Sequence, residues 1–255
     1  MRLGLVVAVL VCLSVVPASA EEQYEDDESR EFLIKWLEET CDVTSVRGEM
    51  RIRQYDSGPF GPTESHAKGE FAYVQPRLGY VRWVNEPRPN RRPRLTKTGD
   101  EYKVVPFSDC HLQWPNGMDL SLVDDDEQTV YRCHVTKWTS WPFEWLCTAD
   151  WWMPFLPGQP NKESFRDYSY KCLKKTDDHI WIRATRQRPS NAKSTPLGHF
   201  ECYTLYFDYK TTKLLAACGR VIDDVEIQYE FLNVVFDPSS WQPPNIGKYR
   251  VIDVE

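Results

Sequence analysis

The last third of the chain is a succession of short runs in which apolar and polar residues alternate, separated by turn-formers. "SYKCLKK", "HIWIRATRQ", "HFECYTLYFDY", "KLLAACGRV" and "VEIQYEFLNVVFD" follow one another from Ser169 to Asp237, with "TDD", "KTT" and "DD" among the connections. A period of two with tight connections is the pattern of strands that pair with their sequence neighbours in an antiparallel meander. The middle of the chain repeats it. "KGEFAYVQP" (Lys68 to Pro76), "GYVRWV", "EYKVV", "CHLQW", "MDLSLV" and "QTVYRCHV" are strand candidates, and "FSD", "PNG" and "DDDE" are the turns between some of them. Thr44 to Tyr55 reads as a further strand, with Met50 and Ile52 on one face and Arg51 and Arg53 on the other. The expected fold is mainly β with helices (α+β): a strongly curved antiparallel sheet forming an unclosed β-barrel, with helices packed in its concave face.

Two segments break the alternation. From about Ser29, the apolar residues Phe32, Leu33, Trp36 and Leu37 recur on one face of a helix, and the acids before them suit its N-terminus. "WTSWPFEWLCTADWWMPFL" (Trp138 to Leu156) holds five of the ten tryptophans. Its spacing, and the prolines near each end, suit a short second helix better than a strand. Burying each ring removes about 150–250 Å² from water, so filling a core would explain the run. Trp151 and Trp152 are adjacent, however, and cannot face one way on a helix. Lining a cavity is the other reading.

The ends set the compartment. Arg2, the apolar run Leu3 to Val16 and the small residues Ala18 and Ala20 have the order of a secretory signal peptide cleaved after Ala20. Residues 1–20 are therefore assigned to the signal, 21–28 to an acidic tail, 29–241 to one domain and 242–255 to a C-terminal tail. No later run is long enough for an integral membrane segment, so the mature chain is expected to be periplasmic or secreted. The formal charge of −7 argues against a nucleic-acid partner. A local exception is "PRPNRRPRLTK" (Pro87 to Lys97), which is either a solvated loop or, through Arg88 to Lys97, a docking loop for an envelope protein.

No metal or cofactor motif is present, and no catalytic residue is assigned. Cys110–His111 and Cys133–His134 are adjacent pairs on strands, so each pair points to opposite faces and cannot share a site. The acidic runs fit solvated turns, and His66, His179 and His199 fall in turn-like contexts. Without Cys12 of the signal, seven cysteines remain, so they cannot all pair within one chain.

"GEFAYVQPRLGYVRWVNEP" (Gly69 to Pro87) resembles the periplasmic outer-membrane lipoprotein carrier (LolA/LolB-like) superfamily. It has a glycine, an aromatic strand, a proline, then a strand ending in "RW" and x-Pro. The stretch Leu205 to Asp237 is similar to that group too, with Asp208, Gly219 and Asn233 at the matching turn and strand positions. More narrowly, the chain resembles a secreted carrier-like domain family of planctomycete bacteria from about Ser29 to Trp241. The resemblance implies an unclosed barrel, lidded by helices, that holds lipid, acyl or other apolar groups without catalysis. The carriers place an arginine before the strand proline; here Gln75 stands there, with Arg77 after Pro76. That departure bears on lipoprotein transfer more than on binding an apolar group.

On this reading the candidate ligand-lining residues are Phe71, Tyr73, Trp83, Trp151, Trp152, Phe155 and Trp181, large aromatics on core-type strands or in the lid. The alternatives are an envelope protein-interaction module whose half-barrel is filled by its own core and, more distantly, a Cys/His hydrolase. A close carboxylate–His pair at a cavity is the feature the hydrolase requires. Export has a direct check. Intact mass of the secreted protein is expected to place its first residue near Glu21, and a retained or lipid-modified N-terminus would refute cleavage at Ala20.

Overall fold

The computed structural model of the chain describes residues 24–40, 43–58, 61–74, 78–88, 93–114, 119–134, 168–187, 200–221, 225–237, 242 and 244–254. Among these, one helix, α1 (Asp27–Thr40), precedes a single large sheet that does not close on itself. Its strands are β1 (Ser45–Asp56), β2 (Thr63–Val74), β3 (Leu78–Asn85), β4 (Lys103–Val104), β5 (Cys110–Trp114), β6 (Asp119–Asp124) and β7 (Thr129–His134). The second half adds β8 (Tyr168–Lys175), β9 (His179–Arg186), β10 (Phe200–Asp208), β11 (Leu214–Val221), β12 (Val225–Phe236) and β13 (Arg250–Val254). The spatial order is β13-β7-β6-β5-β3-β2-β1-β12-β11-β10-β9-β8, and β4 lies beside β2. Two antiparallel meanders thus meet along β1 and β12.

The alternation fixes which side of the sheet is buried. Met50 faces Phe231 across β1 and β12, Ile52 faces Tyr229, and Leu205 faces Ala217 and Ile182. These residues belong to one buried cluster with Phe71, Val81, Trp83, Ile180 and Phe207. Helix α1 packs on this inner face. The Phe32 and Trp36 rings lie 5.0 and 5.2 Å from Phe207. Leaving water contributes about 1.5–3 kcal/mol for each large side chain so buried. Two hydroxyls within the same layer, of Tyr170 and Tyr203, pair at 2.9 Å, and burial pushes both phenols well above their usual pKa.

One carboxylate ties the helix to the sheet edge. Asp26 is the N-cap: its Oδ1 accepts the Ser29 amide at 2.7 Å, while its Oδ2 accepts the Cys172 amide of edge strand β8 at 2.7 Å. Glu25 and Ser29 both donate to the Tyr170 carbonyl. Residues 24–26, expected to belong to an acidic tail, are therefore held against β8.

Other expectations change as well. The segment around His66 is not a turn, because β2 begins at Thr63, and His179 opens β9. The C-terminal segment returns to regular structure, since Arg250–Val254 runs parallel to β7. The Trp-rich stretch, His199 and Gln75 lie outside the described residues.

Gly69, the first residue of the family-like motif, faces the β3 backbone at Trp83. A Cβ there would sit 1.9 Å from the Arg82 carbonyl oxygen and 2.7 Å from the Trp83 Cα. Backbone cannot yield as a flexible side chain can. Gly69→Ala is expected to cost about 3 kcal/mol or more, read from its denaturant midpoint. A loss below about 1 kcal/mol would show that the strands separate freely.

Candidate functional site

The outer face of the sheet, opposite α1, carries an extended set of polar and aromatic side chains. Strand register sets it out in rows. One row runs Trp181, Tyr206, Ala216, Glu230, Arg51 and Lys68 across β9, β10, β11, β12, β1 and β2. The next runs Arg183, Thr204, Cys218, Gln228, Arg53 and His66. The Trp181 and Tyr206 rings stand at one end with Arg183 beside them, small residues lie in the middle, and Arg51 and Arg53 stand at the other end. That order of sizes makes a groove of about 550 Å³, with Ala216, Cys218 and Thr204 along its middle and Leu215 and Leu232 beside them.

The aromatic wall is a cluster. Trp181 and Tyr206 stack at 4.7 Å, His179 lies 5.0 Å from Tyr206, and the Lys174 ammonium sits 5.2 Å from the Trp181 ring centre. The opposite wall holds Arg51 and Arg53. Arg51 reaches Glu86 and Glu230 only at 3.9 Å, and Arg53 reaches Glu230 at 3.7 Å. Neither guanidinium makes a hydrogen bond among the described residues. Between the walls, burial and the nearby Glu226 carboxylate push the Cys218 thiol up to about 12, so it stays protonated.

The arginines of the basic loop behave differently. Arg94 grips Glu226 with two bonds of 2.7 and 2.9 Å and covers the Tyr55 ring at 4.1 Å. This pairing holds the Glu226 carboxyl below its usual range. Arg88 lies 2.7 Å from Glu64 and 3.4 Å from Glu101. Two of the residues expected to dock a partner are thus engaged with their own sheet. Lys97 is exposed; Arg91 and Arg92 lie outside the described residues.

The sequence-selected aromatics do not gather at one place. Phe71 and Trp83 are buried on the inner face. Phe71 meets Phe231 edge-on, and the Trp83 indole donates to the Ser108 carbonyl. Trp181 is on the outer face, in the groove. Tyr73 belongs to β2, where it pairs with Gly79 of β3. Trp151, Trp152 and Phe155 lie outside the described residues and stay as proposals from sequence. Sequence reasoning missed the groove itself, although "HIWIRA" held the signal: Ile180, Ile182 and Ala184 alternate inward, which turns Trp181 out.

A close carboxylate–His pair does exist, away from the groove. His111 Nδ1 is 3.1 Å from Asp125, Gln113 donates to His111 Nε2 at 3.0 Å, and the same amide donates to the Pro244 carbonyl. Because that amide must donate, Nε2 accepts and Nδ1 carries the proton. Arg82 and the Tyr249 hydroxyl also hold Asp125, at 3.0 and 3.2 Å. The nitrogen a base would offer to a substrate is therefore capped, and the pair clamps the segment before β13 onto the sheet. Cys110, next in sequence, faces the core, as strand alternation requires. Among the described residues no three His, Cys, Asp or Glu side chains come together as metal ligands. Cys110, Cys172, Cys202 and Cys218 are free thiols.

No protein-family model and no curated protein matches the chain. Among solved structures it is similar to MucB, at 9% identity and a TM-score of 0.45, over 86% of this chain and 62% of that one. It is also similar to a DUF1329-family protein from Desulfovibrio piger, at 11% identity and a TM-score of 0.34, over 83% of this chain and 92% of that one. A LolA-superfamily protein from Nitrosomonas europaea gives 10% identity and 0.31, over 82% and 94% of the two chains. The chain spans less than two thirds of MucB, and scores of this size say nothing about activity. No helix among the described residues is long and apolar enough to cross a membrane.

The His111 clamp predicts a pH dependence. Burial lowers the His111 pKa from 6.5, so on acidification the unfolded chain takes up the proton before the folded one. Stability present above 6.5 is then lost as pH falls through that value. The stability advantage of the wild type over His111→Gln should shrink between about pH 7.5 and about pH 5. Urea midpoints measured across that range test it. A gap that stays constant means His111 does not titrate in the folded state as described.

Proposed function

We propose that the protein is a non-enzymatic binding protein of the cell envelope that takes an apolar or acyl-bearing group in the outer groove. The signal-like N-terminus supports export. The observation that carries the binding reading is the groove itself: about 550 Å³, floored by small and aliphatic side chains, in a sheet whose other face is already packed. A volume of that size suits a single alkyl chain or a small amphiphile. Trp181 is the sequence-selected aromatic this reading keeps among the described residues. No cofactor enters the proposal. The interaction-module alternative gains from the packed inner face and loses from the engagement of Arg88 and Arg94.

Calorimetric titration with dodecanol, a neutral single-chain ligand, tests the reading. Micromolar binding is expected. Ala216→Trp, which plants a ring in the middle of the groove, should weaken it about tenfold or more and leave the unfolding midpoint almost unchanged. Dodecanol that fails to bind, or binds the variant equally well, removes the groove from the proposal.

A further inference from the structure

We infer that the groove is polarised for an amphiphile with an anionic oxygen head group, its head at Arg51 and Arg53 and its chain running toward Trp181. This deepens the binding proposal and rests on it. The register places Arg51 and Arg53 two residues apart on one face of β1, each beside the β12 residues of the groove. Their carboxylate contacts are 3.7 to 3.9 Å, against 2.7 and 2.9 Å for Arg94 on Glu226. A guanidinium fork closes on a carboxylate at about 2.7–2.9 Å when geometry allows, so these two are loosely held. Glu230 is shared by both arginines, Glu86 approaches only Arg51, and Lys68 stands beside Arg51 in the same row. Three cations thus stand together at this end, and Glu49 and Glu70 follow in the next row of the same face. Two adjacent planar forks suit carboxylate or phosphate oxygens.

The other end is built on rings, with Lys174 over Trp181 and Arg183 in the next row as separate cations. From β1 to β10 the row crosses three inter-strand steps, about 14 Å, past Ala216 to the Tyr206 and Trp181 rings. Small residues there leave room for a chain, and the rings give it an apolar stop. A neutral ligand could enter either way round. An acid is favoured with its head at Arg51 and Arg53, where two forks stand together on one strand, whereas Lys174 is held over the Trp181 ring and Arg183 stands singly.

Comparison of dodecanoate, dodecyl phosphate and dodecanol at low ionic strength tests this by calorimetry. At least one of the two acids is expected to bind about tenfold tighter than dodecanol, and the tighter acid identifies the head group. Arg51→Gln with Arg53→Gln should abolish that advantage while dodecanol binding is retained. Both substitutions sit on the solvent face, and an unchanged unfolding midpoint confirms that the variant is folded. Acids that bind no tighter than dodecanol overturn the inference but leave the apolar groove standing, as does an advantage that survives the double substitution. Failure of all three ligands sinks the binding proposal itself.

Discussion

The pairing of β1 with β12 is what everything else in this structure depends on. Each meander closes locally, strand on neighbouring strand; this seam joins the two through the middle of the sheet, while β13 joins β7 at its edge. It brings Val46–Asp56 against Val225–Phe236 in one register, interrupted by a bulge between Arg47 and Glu49. The bulge lies near Asn233, which has a positive φ of 53° and donates its side-chain amide to Glu49. At the end of β12, Asp237 accepts the amides of Thr44 and Ser45, and its own amide returns to the Ser45 carbonyl. Those bonds hold the Asp237 carboxyl below its usual range. A slip of one residue at this seam would turn Met50 and Ile52 outward and Arg51 and Arg53 into the core. The register that builds the core is therefore the one that builds the groove.

Local pattern made most of the strands legible. The run Thr44 to Tyr55 predicts β1 to within a residue at each end, and "CHLQW" coincides with β5. Helix α1 was visible through Phe32, Leu33, Trp36 and Leu37, but its cap was not, because Asp26 owes half of its role to the Cys172 amide, distant in sequence. Strand β13 escaped notice because "RVIDV" is short and lies beyond prolines, and it gains its order from pairing with β7. The groove was hidden for a related reason. Alternation turns Arg51 and Arg53 away from Met50 and Ile52, yet nothing local says that Glu230, Ala216 and Tyr206 share their row.

Charge content alone would have picked the wrong arginines. The segment Pro87 to Lys97 is the most basic stretch of the chain and by composition suits a docking loop. Distance decides otherwise for its described members. Arg94 is held by a bidentate carboxylate contact and by the Tyr55 ring, and Arg88 lies against the buried Glu64. Releasing either would leave Glu226 or Glu64 without its cation, a larger cost than the net value of an exposed pair. Arg51 and Arg53 look unremarkable in sequence, alternating with apolar residues as many strand arginines do. Long contacts to shared carboxylates leave their donors available.

The trough between the two walls comes from β11. Ala216, Ala217, Cys218 and Gly219 are four consecutive small residues, and strand alternation sends them to both faces in turn. Inward, Ala217 leaves space opposite Tyr229 and Leu205, and Gly219 leaves it opposite Ile227 and Tyr203, so the core fills with large side chains from the neighbouring strands. Outward, Ala216 and Cys218 offer no bulk between Tyr206 and Glu230 or between Thr204 and Gln228, and there the space stays open. The same run of small side chains thus tightens one face and hollows the other. A strand built only for packing needs small residues at alternate positions. Having them at successive positions is what separates this strand from its neighbours, and it places the groove over the one strand of the second meander that has little side-chain volume on either face.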